Sequence, residues 1–232
     1  MALRRNLAEG RWESLAIGAT AYNERMVSLG EQYQPQFAFG RMSWTGPNTI
    51  NVRYFNAFFK ATYDDAARVA NNYQILTRPL LRQWRYERDE KKTGEAAGWN
   101  RIDFDDTAWK TTDCAVDTWS ALGLHNYMGS VWYRTKTTIP AVATGKKIWL
   151  WIGATDGRAK VFVNGRHVPF VDEKGATVDS FTGYCKPASF NVTTAIKPGE
   201  ENQISLFCTR EFVNELGTGG LLAPVAIYSD KP

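Results

Sequence analysis

From about Leu80 to the end of the chain, apolar residues recur at every second position, in short runs broken by Gly, Pro, Asn and Asp. A two-residue period sends alternate side chains to opposite faces of a strand. This part of the chain is therefore expected to bury its hydrophobic residues in sheets. In KKIWLWIGA, Ile148, Leu150 and Ile152 fall on one face and Trp149 and Trp151 on the other, so both faces of that strand should be covered. RAKVFVNG sets Ala159, Val161 and Val163 against Lys160, Phe162 and Asn164. Further strand candidates are LLRQWRYE, VWYRTKTTI, RHVPFV, ASFNVT, NQISLFCT and LAPVAIY. Eight short strands at this spacing fit a β-sandwich of the jelly-roll kind.

The connections carry their own chemistry. Asn164-Gly165 sits between two alternating runs, and Asn-Gly is the preferred pair for a type I′ hairpin because both central residues need positive φ. Asp156-Gly157 invites the same reading for the preceding connection. Asp156, Arg158, Asn164, Arg166 and His167 are thus close in sequence as parts of turns and strands rather than as a catalytic cluster. Arg166 and His167 alternate across a strand, so one of the two faces any given ligand.

The N-terminal stretch has a different period. In VRYFNAFFKATYDDAARVANNY, Val52, Phe55, Phe59, Tyr63, Ala66, Ala70 and Tyr73 step by three and four residues, which draws an apolar stripe along a helix. Trp12, Leu15, Ala16, Ala19, Tyr22, Met26 and Leu29 form a weaker stripe, with Gly18 inside it. Between them QFAFGRMSW reads as a strand, followed by the turn-like TGPN. The expected fold is mainly β: a helix-strand-helix segment over residues 1–77, then a sandwich over 78–232.

Composition narrows the class. Hydrophobic residues make up 44% of the chain, aromatic ones 13% and charged ones 22%, enough for a substantial core and an ordinary surface. The net charge of +4 comes from scattered Lys and Arg pairs, with no basic stripe for nucleic acid. No apolar run has the length of a membrane span, and MALRRNLAEGRWESLAIG lacks the apolar core of a signal peptide, which leaves a cytoplasmic or a secreted parent open. Cys114, Cys185 and Cys208 are widely spaced and odd in number, so buried thiols are expected, with one disulfide and one free thiol as the alternative.

Five ordered segments, GWNRIDFDDTAWKTTD, TWSALGLHNYMGSVWYRTKTTIP, GKKIWLWIGATDGRAKVFVNGRHV, FNVTTAIKPGEENQISL and GTGGLLAPVAIY, resemble the sugar-binding, galactose-binding-domain-like jelly roll of glycoside hydrolase family 2 and related carbohydrate-active enzymes. The resemblance implies a non-catalytic module that binds carbohydrate or buttresses a catalytic barrel. It implies no cofactor, although related folds often hold a structural calcium that oxygen-rich loops could ligate. It also implies that FDDTAW is a folded loop anchored by Phe104 and Trp109, so that Asp105 and Asp106 are structural. Trp132 and Tyr133 read as core. Asn191 departs from the acidic residue this family often places before VT. The N-terminal segment is similar to the closing unit of a (β/α)-barrel glycosidase, whose last strand often ends in Trp, here Trp44. The alternative is a helical extension of the sandwich itself.

Catalysis of glycoside cleavage needs two carboxyl groups roughly 5–10 Å apart. Asn23-Glu24 and Asn214-Glu215 are the pairs that offer one, yet Glu24 falls in a helical pattern and Glu215 in a Gly-rich loop, where solvated Glu is the ordinary state. His125 and His167 are too few for a His-rich metal site, and no HExxH, CxxC or GxSxG pattern occurs. GTGG at 217–220 leads into a strand and reads as a loop needing positive φ. Sugar binding asks for less: an exposed ring beside planar hydrogen-bonding groups. DTWSALGLHNYMG offers Trp119, His125, Asn126 and Tyr127, and REFVNELGTGG offers Arg210, Glu211, Asn214 and Glu215. Both loops can meet at one edge of a sandwich, with Trp119 and Tyr127 read first as plugs of the core end and second as sugar contacts. The expected partner is an oligosaccharide or polysaccharide, with a catalytic domain or, through the stripe at Phe55 and Phe59, a second copy as further contacts. The competing readings are an enzyme in its own right and a purely structural module.

Overall fold

The computed structural model describes residues 2–6, 11–15, 62, 64–114, 117–119, 121–124, 127–183, 186–211 and 219–231. Strands β1 (Ala2–Asn6) and β2 (Arg11–Leu15) pair antiparallel, with Ala2 opposite Leu15 and Asn6 opposite Arg11. The helix expected through Trp12 and Leu15 is therefore corrected: those residues lie in a strand. Trp12 and Leu15 stand three residues apart, a helical step, but five residues are too few to fix a period, and cross-strand pairing decides. The strand expected at QFAFGRMSW, Trp44, and the stripe residues Phe55 and Phe59 lie outside the described residues. The described end of the second expected helix, residues 64–72, is helical and is called α1.

Next come β3 (Tyr73–Ile75), β4 (Gln83–Arg88), β5 (Lys110–Asp113) and β6 (Gly129–Thr138). The middle of the chain supplies β7 (Ile148–Ile152), β8 (Thr155–Asp156), β9 (Arg158–Val163) and β10 (Arg166–Val168). Short strands β11 (Phe170–Val171), β12 (Thr177–Val178) and β13 (Phe181–Thr182) lead to β14 (Ala188–Asn191), β15 (Glu201–Arg210), β16 (Gly220–Leu221) and β17 (Val225–Asp230). The large sheet runs β10-β9-β15-β6-β4-β5, with β13 also on β9, and the small sheet runs β14-β7-β17-β3. All pairings are antiparallel. The chain is mainly β, and its two sheets form the expected sandwich.

Alternation places the core. Leu150, Ile152, Val225 and Ile227 of the small sheet and Val131, Val161, Val163, Ile204 and Leu206 of the large one are fully buried in one cluster. Burial of each such side chain is worth about 1.5–3 kcal/mol. Trp151, Ala226 and Tyr228 point the other way and pack with Ala66 and Val69 of α1, so both faces of β7 are covered. The Trp151 indole donates to Asp65 Oδ2 at 2.8 Å, and Thr62 Oγ1 donates to the Gly153 carbonyl at 3.0 Å, which ties the helix to the sheet. Asn164 and Gly165 have φ of 51° and 80° at the β9–β10 turn, as the Asn-Gly pair predicts. The Asn164 amide donates to the Ala195 carbonyl and to Asn202 Oδ1, both at 2.8 Å, so this turn also anchors the β14–β15 connection.

The outer face of the large sheet is covered by the connection from β4 to β5, residues 89–109. Trp99, Phe104 and Trp109 from this strap pack over Trp132, Phe162 and Phe207 of the sheet. Two polar clasps hold it. The buried Asp89 accepts from Thr93 N at 2.9 Å, Gly94 N at 2.8 Å and the Trp132 indole at 2.9 Å. The fully buried Arg134 donates Nε to Asp106 Oδ2 at 2.7 Å, Nη1 to the Trp99 carbonyl, and Nη2 to the Phe104 carbonyl at 3.3 Å and Gln203 Oε1 at 3.1 Å. Phe104, Trp109 and Asp106 are thus structural, as the loop reading expects.

Candidate functional site

The described ends of the two loops singled out from sequence meet at one end of the sandwich. Arg210, at the end of β15, pairs in register with Gly129 at the start of β6, which brings both connections to the same edge. Gly219 and Gly220 then cross over Trp119 with φ of 67° and 70°. A Cβ at Gly219 would lie 2.3 Å from Trp119 Cδ2, and one at Gly220 would lie 2.2 Å from Tyr133 Oη. Glycine is needed there both for backbone conformation and for close approach. Asp156 Oδ2 accepts from Gly219 N at 2.7 Å, so the Asp156-Gly157 turn also positions the crossing loop.

Each proposed contact has a distinct place. Trp119 is 1% exposed and its indole donates to Tyr133 Oη at 2.7 Å, so it plugs the core and has no face open to a glycan. Burial, more than any other cause, pushes the Tyr133 hydroxyl well above the usual tyrosine range, with Cys208 nearby adding to the effect. Arg210 is buried at 5% exposure. Tyr127 is half-buried: one side of its ring packs on Trp119 with centroids 5.5 Å apart, and the Arg88 guanidinium lies 6.0 Å from the ring centroid. Its hydroxyl donates to the Ser130 carbonyl at 3.3 Å, and partial burial raises its pKa despite that bond. Glu211 is exposed and lies 3.3 Å from Lys92 Nζ. His125, Asn126, Asn214 and Glu215 lie outside the described residues, as do Glu24 and Cys185.

Sequence reasoning missed the contribution of the strap. Glu87, Arg88, Asp89, Glu90, Lys91, Thr93 and Trp99 line a shallow cleft of about 360 Å³ on the strap side of this edge. Arg88 and Lys92 meet the rim loops from there, through Tyr127 and Glu211. The available signal was the run RDEKK at 88–92, whose charges directly follow a strand. Among the described residues no three His, Cys, Asp or Glu side chains are grouped to hold a metal ion. Cys114 and Cys208 are buried, as expected for two of the three cysteines.

The fold and its edge define a β-sandwich module with loops gathered at one rim. No family model matches the chain. Its homologues and structural neighbours are β-glucuronidases of glycoside hydrolase family 2, and they match part of the chain. A β-glucuronidase of Paenibacillus borealis is 27% identical over 124 residues, which is 53% of this chain and 19% of that protein. A β-glucuronidase of Formosa agariphila is 31% identical over 117 residues, 45% of this chain and 11% of that protein. The crystal structure of a Bacteroides uniformis β-glucuronidase superposes with a TM-score of 0.52 at 20% identity, covering 68% of this chain and 18% of that one. The chain thus spans less than a fifth of these curated relatives, and the structural likeness is one of fold.

Proposed function

We propose that this chain is a non-catalytic carbohydrate-binding or accessory module of a longer glycoside hydrolase of the β-glucuronidase type, and that its rim meets an oligosaccharide or polysaccharide. One observation carries the non-catalytic reading: among the described residues, the buried Asp89 and Asp156 and the half-buried Asp106 are engaged in holding loops. Asp89 and Asp106 clasp the strap, and Asp156 holds the Gly219 crossing. The partial matches to β-glucuronidases support the parent enzyme class. At the rim, Tyr127 offers an aromatic edge beside Arg88, Lys92 and Glu211, the mixture of apolar ring and planar polar groups that a pyranose requires.

The test uses the 232-residue chain. Affinity electrophoresis through gels containing plant, algal and microbial polysaccharides should show retardation by at least one of them. Tyr127→Ala should weaken that binding roughly fivefold to tenfold, corresponding to an aromatic contact of about 1 kcal/mol. The same protein should release no nitrophenol from p-nitrophenyl β-D-glucuronide above the buffer rate. Turnover would overturn the non-catalytic reading, and equal retardation of Tyr127→Ala would overturn the placement at the rim.

A further inference from the structure

A second cleft lies on the outer face of the large sheet, lined by Gln83, Arg85, Asp106, Thr111, Arg134 and Lys136, with a volume of about 270 Å³. Its floor is a cross-strand row. Thr111 of β5 stands opposite Arg85 of β4, which in turn stands opposite Arg134 of β6. Two arginines placed directly opposite repel unless an anion lies between them. Asp106 supplies one: its Oδ2 takes Arg134 Nε at 2.7 Å and its Oδ1 lies 3.4 Å from Arg85 Nε. One carboxylate thus faces two guanidinium groups.

The remaining charge is not shared equally. Arg134 is fully buried, with its donors directed to Asp106, two strap carbonyls and Gln203. Arg85 is 38% exposed and directs Nη1 to the Thr107 carbonyl at 3.0 Å. Lys136 borders the same cleft, and its ion pair with Glu201 at 3.1 Å is exposed on both sides, a kind of pair that contributes little and exchanges readily. The lining side chains carry three positive charges against one negative. Threonine hydroxyls at positions 111 and 135 border them, and Thr135 Oγ1 donates to the Gln83 carbonyl at 3.0 Å.

We propose that this cleft is an oxyanion site that takes the carboxylate of an acidic sugar, with Arg85 and Lys136 as the recognising cations. Arg85 directs Nε to Asp106 and Nη1 to the Thr107 and Trp109 carbonyls, which leaves Nη2 as its charge-assisted donor for a carboxylate, and Lys136 adds a point charge. Arg134 and Asp106 set the position of Arg85 and do not themselves reach the ligand. The site is on the sheet's outer face, separate from the rim, so its anion binding stands or falls independently of the rim reading, while the assignment of that anion to a sugar rests on the proposed function.

The experiment is titration of the 232-residue chain with sodium D-glucuronate, followed by heteronuclear NMR, with D-glucose as the neutral sugar and sodium sulfate as an oxyanion without a sugar. D-glucuronate should give saturable shifts at the Arg85, Thr111 and Lys136 amides, and those shifts should shrink with added salt. Arg85→Gln and Lys136→Gln should each weaken binding roughly tenfold, in line with loss of a charge-assisted hydrogen bond. Lys136→Gln keeps the test sound if Arg85→Gln disturbs the strap, since Lys136 makes no contact with it in the clasp. Glucose binding as well as glucuronate, or both variants binding unchanged, would overturn the site. Sulfate binding as tightly as glucuronate would overturn its assignment to an acidic sugar.

Discussion

Replacing Asp89 with Ala tests how the strap is held to the sheet. The carboxylate is 3% exposed and accepts three hydrogen bonds, two from strap amides and one from the Trp132 indole. A hydrogen bond to a charged group contributes about 1.5–3 kcal/mol. The three share one acceptor, so they do not add in full, and Thr93 N can turn to water because Thr93 is exposed. Gly94 is buried and the Trp132 side chain is fully buried, so their two N–H groups are left without an acceptor. The expected loss is therefore about 3–5 kcal/mol, the range for removing one partner from a buried charged network. Asp89→Asn keeps one acceptor oxygen and should lose roughly half as much by the same per-bond range. Urea unfolding followed by tryptophan fluorescence reads both values, and Trp99, Trp109 and Trp132 all lie in the affected cluster. A loss below about 1 kcal/mol for Asp89→Ala would refute the clasp, because that is within reach of an exposed contact.

Two further outcomes follow from other parts of the structure. Gly220→Ala should destabilise the sandwich by more than the usual glycine-to-alanine change, since its Cβ would lie 2.3 Å from Trp119 Nε1 and 2.2 Å from Tyr133 Oη; thermal unfolding should show it, and an unchanged midpoint would contradict the close crossing. Stability should also fall in alkali: burial raises the Cys208 thiol above its ordinary 9.0 and the Tyr133 hydroxyl above its ordinary 10.0, so the neutral native forms are favoured below those values and the contribution is lost progressively as pH climbs past them. Urea midpoints between pH 8 and pH 11 should decline, and Cys208→Ala should remove part of the slope; a flat profile would refute the linkage.

Much of the sandwich was legible because its strands are amphipathic in a way that local sequence records. Trp149 and Trp151 opposite Leu150 announced a strand covered on both sides, and Asn164-Gly165 announced its turn. What escaped was specified by distant partners. In β5, KTTD has no apolar residue, and only Thr112 is buried; it is a strand because Gln83 and Trp84 pair with it and Arg82 bonds Asp113 through two nitrogens. Two-residue β8 and β16 exist through each other, across 63 residues between Asp156 and Gly219. Arg134 is a charged residue within a strand, yet it is fully buried because Asp106 and three further oxygens surround it. At the rim, the order and spacing of the loops anticipated that their ends come together. Whether an aromatic side chain faces a ligand or the core was undecidable from sequence, because Trp119 and Tyr127 differ in depth rather than in pattern.

The position of β15 in the large sheet bears on how this chain comes to be folded at all. It lies between β6 and β9, which precede it by dozens of residues and never pair with each other. As the polypeptide leaves the ribosome, the segments β4–β6 and β9–β10 must wait as separate pieces, each with an open edge, until residues 201–210 arrive and join them. Sheet closure is thus deferred to late in synthesis of this region, and the interval before it is when a chaperone would have most to shield.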